Sequence, residues 1–306
     1  MRSHTLSRLT AVALAALTAV SLSACTAGSD TAGSSEATGS NDADLTVVAS
    51  LNQWGSIATD LGGDHVAVTS ILDKVSVDAH DYEPTTRDVA ALSAADVAIV
   101  NGAGYDAWAA KAAQSGAATL IDAADTAGIA VGENPHVWFS AAARTAAADA
   151  ISAAYAAADP DHAADYESLN KAWHEREDEL ETRIGEVRAA TEGRPYAAVE
   201  SVAFYLADDL GLENITPTGY MQAAANESEP TPTDIKDFRT LLIDGEADLL
   251  VVNAQESSAV ADQLVAAAQS GGVPTVELTE QMPDGQDDLL DWIGSIVDDF
   301  TAALDR

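Results

Sequence analysis

The chain of 306 residues has a single cysteine, Cys25, so no internal disulfide is available and stability must come from packing a core, which this length allows. Basic residues are few as well. With 14 Lys and Arg against 50 Asp and Glu, the formal net charge is −36, which argues against nucleic acid and against an anionic lipid surface as partners. Most of those carboxylates are expected to form a solvated acidic surface suited to salty surroundings. The apolar run from Leu9 to Val20 is too short to span a bilayer as a permanent helix. No HExxH motif, Gly-x-Ser-x-Gly elbow or phosphate loop occurs, which removes the commonest hydrolase and nucleotide-binding signatures, and no internal repeat is evident.

What is present begins at the N-terminus. Arg2 and Arg8 precede the apolar run, and small residues follow it, the three-part layout of an export signal. The run closes on Leu22-Ser23-Ala24-Cys25, which resembles a lipobox, after which the signal is cut and the cysteine becomes a diacylated N-terminus. The alternative is an ordinary secreted protein cleaved after Ala24 with a free thiol. Residues 1–24 are therefore expected to be a signal peptide, and the mature chain to sit on the extracytoplasmic face of the membrane, lipid-anchored at Cys25. Two acyl chains, at about 0.8 kcal/mol per buried methylene, suffice for stable anchorage. Residues 25–44, mostly Ser, Thr, Gly, Ala and Asp, read as a flexible tether.

From Leu45 the pattern is α/β. Leu45 to Leu51, Val66 to Leu72, Asp96 to Asn101 and Ala118 to Ile121 read as strands, with helices at Trp54 to Leu61 and Tyr105 to Gln114. Tyr166, Leu169, Trp173, Leu180, Ile184 and Val187 share one face of a helix from Asp161 to about Ala190, some 40 Å long and suited to act as a strut. Alternation then resumes. Strands are expected at Tyr196 to Val199, Asp248 to Asn253 and Thr275 to Leu278, and helices at Phe204 to Leu210, Asp234 to Ile243, Ala259 to Gln269 and Asp288 to Leu304. The expected fold is an α/β lobe over 45–158, a connecting helix over 159–192 and a second α/β lobe over 193–306, with parallel sheets and a cleft at the C-terminal ends of the strands.

Of six histidines, His4 belongs to the signal, and His65, His162 and His174 lie in charged surroundings and are expected to be exposed. His80, in Asp78-Ala79-His80-Asp81-Tyr82-Glu83-Pro84, and His136, in Asn134-Pro135-His136-Val137-Trp138, follow the second and fourth strands. Both stand where the cleft should open, and neutral imidazole is the commonest side-chain ligand of transition metals. In the second lobe, Glu200 and Glu280 follow strand ends in the same way. Singly each glutamate reads as a surface charge; four metal-competent residues at four strand ends read as a site.

At these residues the chain resembles the metal-receptor lipoproteins of bacterial ABC importers, the manganese, zinc and iron solute-binding proteins. The likeness extends through Val47-Val48-Ala49-Ser50, Asp88, Leu92, Asp96-Val97-Ala98-Ile99-Val100-Asn101-Gly102, Phe204-Tyr205-Leu206, Leu210-Gly211-Leu212 and Glu229-Pro230-Thr231-Pro232. The resemblance implies two lobes joined by one rigid helix, little closure on binding, and metal ligands at His80, His136, Glu200 and Glu280. Two departures stand out: Ala79 where the family usually has proline, and Glu280 where it often has aspartate.

The resemblance further implies a non-enzymatic receptor, a monomer, that captures one divalent transition metal ion and delivers it to a membrane permease driven by its ATPase. Two imidazoles and two carboxylates accept Mn(II), Fe(II) and Zn(II). Zinc specialists of the resembled family carry a third histidine where this chain has Glu200, and a histidine-rich acidic loop. Neither occurs here, so manganese is favoured, although intrinsic affinity rises toward Zn(II). The rival readings are a metal-dependent hydrolase, for which Glu83 is the one candidate base, and an adhesin-like surface lipoprotein.

Overall fold

The computed structural model describes residues 44–77, 79, 82–226, 228–255 and 258–305. The signal, Cys25, the tether up to residue 43 and His80 lie outside the described residues. The segments read as strands pair in parallel. β1 (Leu45–Leu51), β2 (Val66–Leu72), β3 (Val97–Val100) and β4 (Thr119–Asp122) form one sheet in the order β2-β1-β3-β4. β5 (Pro195–Ala198), β6 (Glu213–Asn214), β7 (Leu249–Asn253) and β8 (Thr275–Leu278) form the other, in the order β6-β5-β7-β8. The two sheets thus share one topology although the sequence shows no repeat. Every residue of β3 and β7 is buried, as strands covered on both faces must be, which is why they read as unbroken apolar runs.

The helices of the first sheet are α1 (Asn52–Gly62), α2 (Thr86–Ala94), α3 (Ala107–Ala113), α4 (Ala123–Thr126) and α5 (Ala141–Ala158). The long helix α6 (Ala163–Thr191) follows, then α7 (Phe204–Asp209), α8 (Thr218–Ala225), α9 (Pro232–Ile243), α10 (Ala259–Gly271) and α11 (Leu289–Leu304). Local chemistry sets several of the ends. Thr85 with Asp88 opens α2, and Thr231 with Asp234 opens α9, each as a reciprocal capping box, and Pro232 takes the first turn of α9, where its missing N–H costs nothing. Gly272, at φ 74°, closes α10 in the left-handed conformation that a side chain would resist.

Helix α6 has 29 residues and is about 43 Å long. Tyr166, Trp173, Leu180 and Ile184 are buried along its predicted face, with Leu169 and Val187 at the margin. The face also carries Glu177, buried against Arg144 of α5, which is itself fully buried. The guanidinium donates to Glu177 at 2.7 Å, to Glu181 at 2.9 Å and to the Trp138 carbonyl at 3.2 Å, so the charge enters the core fully partnered.

One apolar core includes Leu45, Trp54, Phe139, Tyr166, Leu206, Val251 and Phe300, and so runs through both sheets and the helix between them. The last helix ties it together. Helix α11 packs on α1 and α6, and its Trp292 ring lies 5.5 Å from that of Phe139.

Candidate metal centre

The strands of open parallel sheets deliver the residues that follow them to a common crevice, and the described site is built in that way. Glu200 continues β5 in extended conformation, Glu280 stands two residues after β8, and His136 ends the loop that follows β4 and the short helix α4. One donor atom from each lies within 4.8 Å of the other two. His136 and Glu280 are buried, and Glu200 is half-buried. The expected fourth ligand, His80, is outside the described residues. Glu83, the candidate base of the hydrolase reading, is exposed and lies outside this cluster.

The hydrogen bonds around His136 fix which nitrogen can bind a cation. The Asn134 amide is oriented by unambiguous partners: its Oδ1 accepts from the His136 backbone N–H at 3.0 Å, and its Nδ2 donates to the Ser201 carbonyl at 3.0 Å. Because Oδ1 can only accept, the imidazole Nδ1 at 2.9 Å must carry the proton. Nε2, 3.7 Å from Glu200 Oε1, is then the nitrogen available to a cation. A histidine whose far nitrogen is held by a hydrogen bond, leaving the near one basic, is the usual arrangement of a metal ligand. The loop is held further by Asn101, whose Nδ2 donates to the Pro135 carbonyl at 2.9 Å, and by Tyr205, whose hydroxyl donates to the Asn134 carbonyl at 2.9 Å.

The two carboxylates are held just as firmly. Asn253, the last residue of β7, donates through Nδ2 to Glu200 Oε2 at 2.7 Å and to Glu280 Oε1 at 2.9 Å, while its Oδ1 accepts from the Gln255 backbone. Tyr105 donates its hydroxyl to Glu280 Oε2. Burial, reinforced by the Glu280 charge, pushes the Tyr105 hydroxyl well above its ordinary pKa, so it remains a donor. Gln255 accepts from the Glu280 backbone N–H and donates to the Val75 carbonyl at 3.1 Å, which links the second sheet to the chain just after β2.

Tyr105 is brought to the cleft by a tight turn after β3. Gly102, Ala103 and Gly104 all have positive φ, and the buried Asp106 carboxylate accepts from the backbone of Asn101 at 2.7 Å and of Gly102 at 3.0 Å. Chemically the site is an imidazole and two close carboxylates, an arrangement whose like charges favour a cation between them.

Sequence reasoning placed His136, Glu200 and Glu280 as single residues, and the structure brings these three together. It missed Tyr105, Asn134, Asn253 and Gln255 as parts of the site. Asn253 ends a strand, the same signal that singled out Glu200. The expectation that His65, His162 and His174 are simply exposed needs correction: all three are half-buried, and each faces at least one carboxylate within 3.6 Å. His162 also precedes the long helix, in a 3-10 turn over Pro160–His162.

With this geometry in view, comparison with known proteins assigns the class. The profile of the family described as zinc-uptake complex component A, periplasmic, matches residues 47–303, and the chain belongs to that family. Among its relatives, the iron-binding protein YfeA of Yersinia pestis is 27% identical over 245 residues, 76% of this chain and 77% of that protein. The manganese-binding lipoprotein MntA of Bacillus subtilis is 25% identical over 257 residues, 80% of this chain and 81% of that one. The fold is shared with the periplasmic zinc binding protein TroA from Treponema pallidum, with a TM-score of 0.73 at 18% identity over 86% of this chain and 100% of that one.

Proposed function

We propose that this protein is the extracytoplasmic receptor of an ABC importer for a divalent transition metal ion, which it holds between its lobes through His80, His136, Glu200 and Glu280. The observation that carries the reading is the convergence of His136, Glu200 and Glu280, each fixed by hydrogen bonds to its far atoms and each turning a donor to one point. His80 fits as fourth ligand because the chain just after β2, which leads to it in the sequence, is tied through Gln255 to the backbone of Glu280. The relatives bear names of iron- and manganese-binding proteins, and a site of two imidazoles and two carboxylates accepts either of those metals as well as zinc.

Manganese is the favoured cargo, because glutamates that bind through both oxygens raise the coordination number above the four preferred by structural zinc. The ion is carried and released without chemistry on it. Anchorage at Cys25 keeps the receptor beside the permease and ATPase that it feeds, and the monomer suffices for this task.

The test is titration of the metal-free protein and of four single alanine variants with Mn(II) and Zn(II). Each of His80→Ala, His136→Ala, Glu200→Ala and Glu280→Ala should weaken Mn(II) binding by about 100-fold or more, at least the loss caused by removing an outer partner of a ligand. Wild-type affinity in all four would sink the assignment.

A further inference from the structure

A second group of metal-competent side chains lies at the opposite edge of the first sheet from the cleft. Asp44 precedes β1, His65 precedes β2, and Asp159 and His162 form the corner between α5 and α6. The strands' N-terminal ends meet here, whereas the cleft is built at their C-terminal ends. One donor atom from each of these four residues lies within 4.8 Å of the other three. We propose that Asp44, His65, Asp159 and His162 form a second cation site, for a divalent transition metal ion such as Zn(II).

The cluster is built as a metal site is built. His65 Nε2 lies 3.3 Å from Asp165 Oδ2, which can hold that side of the ring while Nδ1 faces the cluster. Nδ1 lies 3.6 Å from Asp44 Oδ2, and the same oxygen lies 3.6 Å from Nδ1 of His162. A carboxylate on the far nitrogen is the partner that orients metal-bound histidines.

The other ligands are fixed too. Asp159 Oδ2 accepts from the Tyr166 hydroxyl at 2.8 Å, and the backbone N–H of Asp44 donates to the His65 carbonyl at 2.9 Å. His162 Nδ1 lies 2.7 Å from Asp159 Oδ2 and shares a proton with it, which an entering metal would release.

Two imidazole nitrogens and two carboxylates make a donor set of intermediate hardness, which divalent transition metal ions accept, Zn(II) among the most tightly held of them. The rings of His65 and His162 stack with centroids 3.9 Å apart and planes at 23°, so their in-plane lone pairs run nearly side by side. Binding therefore requires one imidazole to swing about its Cβ–Cγ bond. Both side chains are partly solvent-exposed, which leaves room for that rotation. An ion held there would cross-link three separate pieces of chain: the lead into β1, the turn after α1 and the corner before the long helix.

The test counts bound Zn(II) by native mass spectrometry on the tag-free full chain. The wild type should bind two ions, and both the double variant His65→Gln/His162→Gln and the cleft variant His136→Gln/Glu200→Gln should bind one. Asp44→Asn, a milder change, should weaken the second ion at least tenfold with an unchanged circular dichroism spectrum. A wild type that binds one ion, lost in the cleft variant, overturns the second site and leaves the cleft reading intact. One ion lost only in the His65/His162 variant does the reverse. Two ions persisting in the His65/His162 variant also overturn the proposal.

Discussion

Asn134 offers a direct test of how the cleft prepares a ligand, because one amide performs two separable tasks. Its Oδ1 holds the His136 ring proton and backbone N–H, and its Nδ2 reaches across to the Ser201 carbonyl at 3.0 Å and hydroxyl at 2.9 Å. Asn134→Leu removes both tasks while keeping similar volume. The imidazole then loses the acceptor that fixes its tautomer, and affinity should fall by about 10- to 100-fold, the range for outer partners of metal ligands. That range corresponds to about 1.4–2.7 kcal/mol of binding free energy.

Asn134→Asp keeps the acceptor and removes the donor. It should hold Mn(II) within about tenfold of wild type, since a carboxylate orients imidazole as well as an amide oxygen does. In the metal-free protein, both variants should lose about 1–3 kcal/mol of stability in urea, because the Ser201 carbonyl is left without its cross-cleft donor. Affinity can be read from the electron paramagnetic signal of free Mn(II) during titration. Equal losses in the two variants, or wild-type affinity in Asn134→Leu, would refute the claim that the tautomer is what Asn134 contributes.

Three further outcomes follow from the packing. Arg144→Met should destabilise the chain by about 3–5 kcal/mol in urea, because it leaves Glu177 charged and buried; adding Glu177→Leu should recover most of that loss. Gly102→Ala should lower both stability and metal affinity, since φ is +79° there and a Cβ would lie 1.8 Å from Asp122 Oδ1, so the turn that carries Tyr105 must shift. At Asp88 burial pushes the carboxyl up, but hydrogen bonds from Tyr82 and Thr85 outweigh it and hold the pKa below the ordinary 3.8. The stabilisation is therefore complete above that value and is lost as pH falls through the lowered one, and Asp88→Asn should flatten this acid limb of a stability-against-pH curve.

Where one kind of residue dominated an element, the sequence was easy to read. β1, β2 and β8 have the bounds their β-branched and apolar runs predict, and α6 has its predicted face, because a strut with a single buried side must repeat at helical spacing. Helix α5 was invisible for the opposite reason: it is mostly alanine, which buries and exposes with little contrast, so no periodicity marks it. The two-residue strand β6 offers too little pattern to see.

In the site, titratable residues at strand ends were legible and their holders were not. Nothing local distinguishes Asn253 or Gln255 from loop amides until the fold sets them against Glu200 and Glu280. Tyr105 read as the start of a helix, and only the run of positive φ at Gly102, Ala103 and Gly104 turns it toward the cleft. The Arg144–Glu177 pair joins residues 33 apart in the chain, a separation that no helical spacing encodes.

The apolar core that runs through both sheets and α6, flanked by a smaller cluster on the outer face of each sheet, has a consequence for how cargo is detected. Lobes with separate cores would melt separately, and an ion between them would chiefly protect the contact. Here the largest core belongs to both sheets, so residues 44–305 should come apart in one step, and an ion seated in the cleft protects all of them. At a free concentration 100 times its dissociation constant, such an ion adds about 2.7 kcal/mol to the whole molecule. The melting temperature of the protein is thus a gauge of its load, and the rise that each metal causes at equal free concentration orders the metals by affinity.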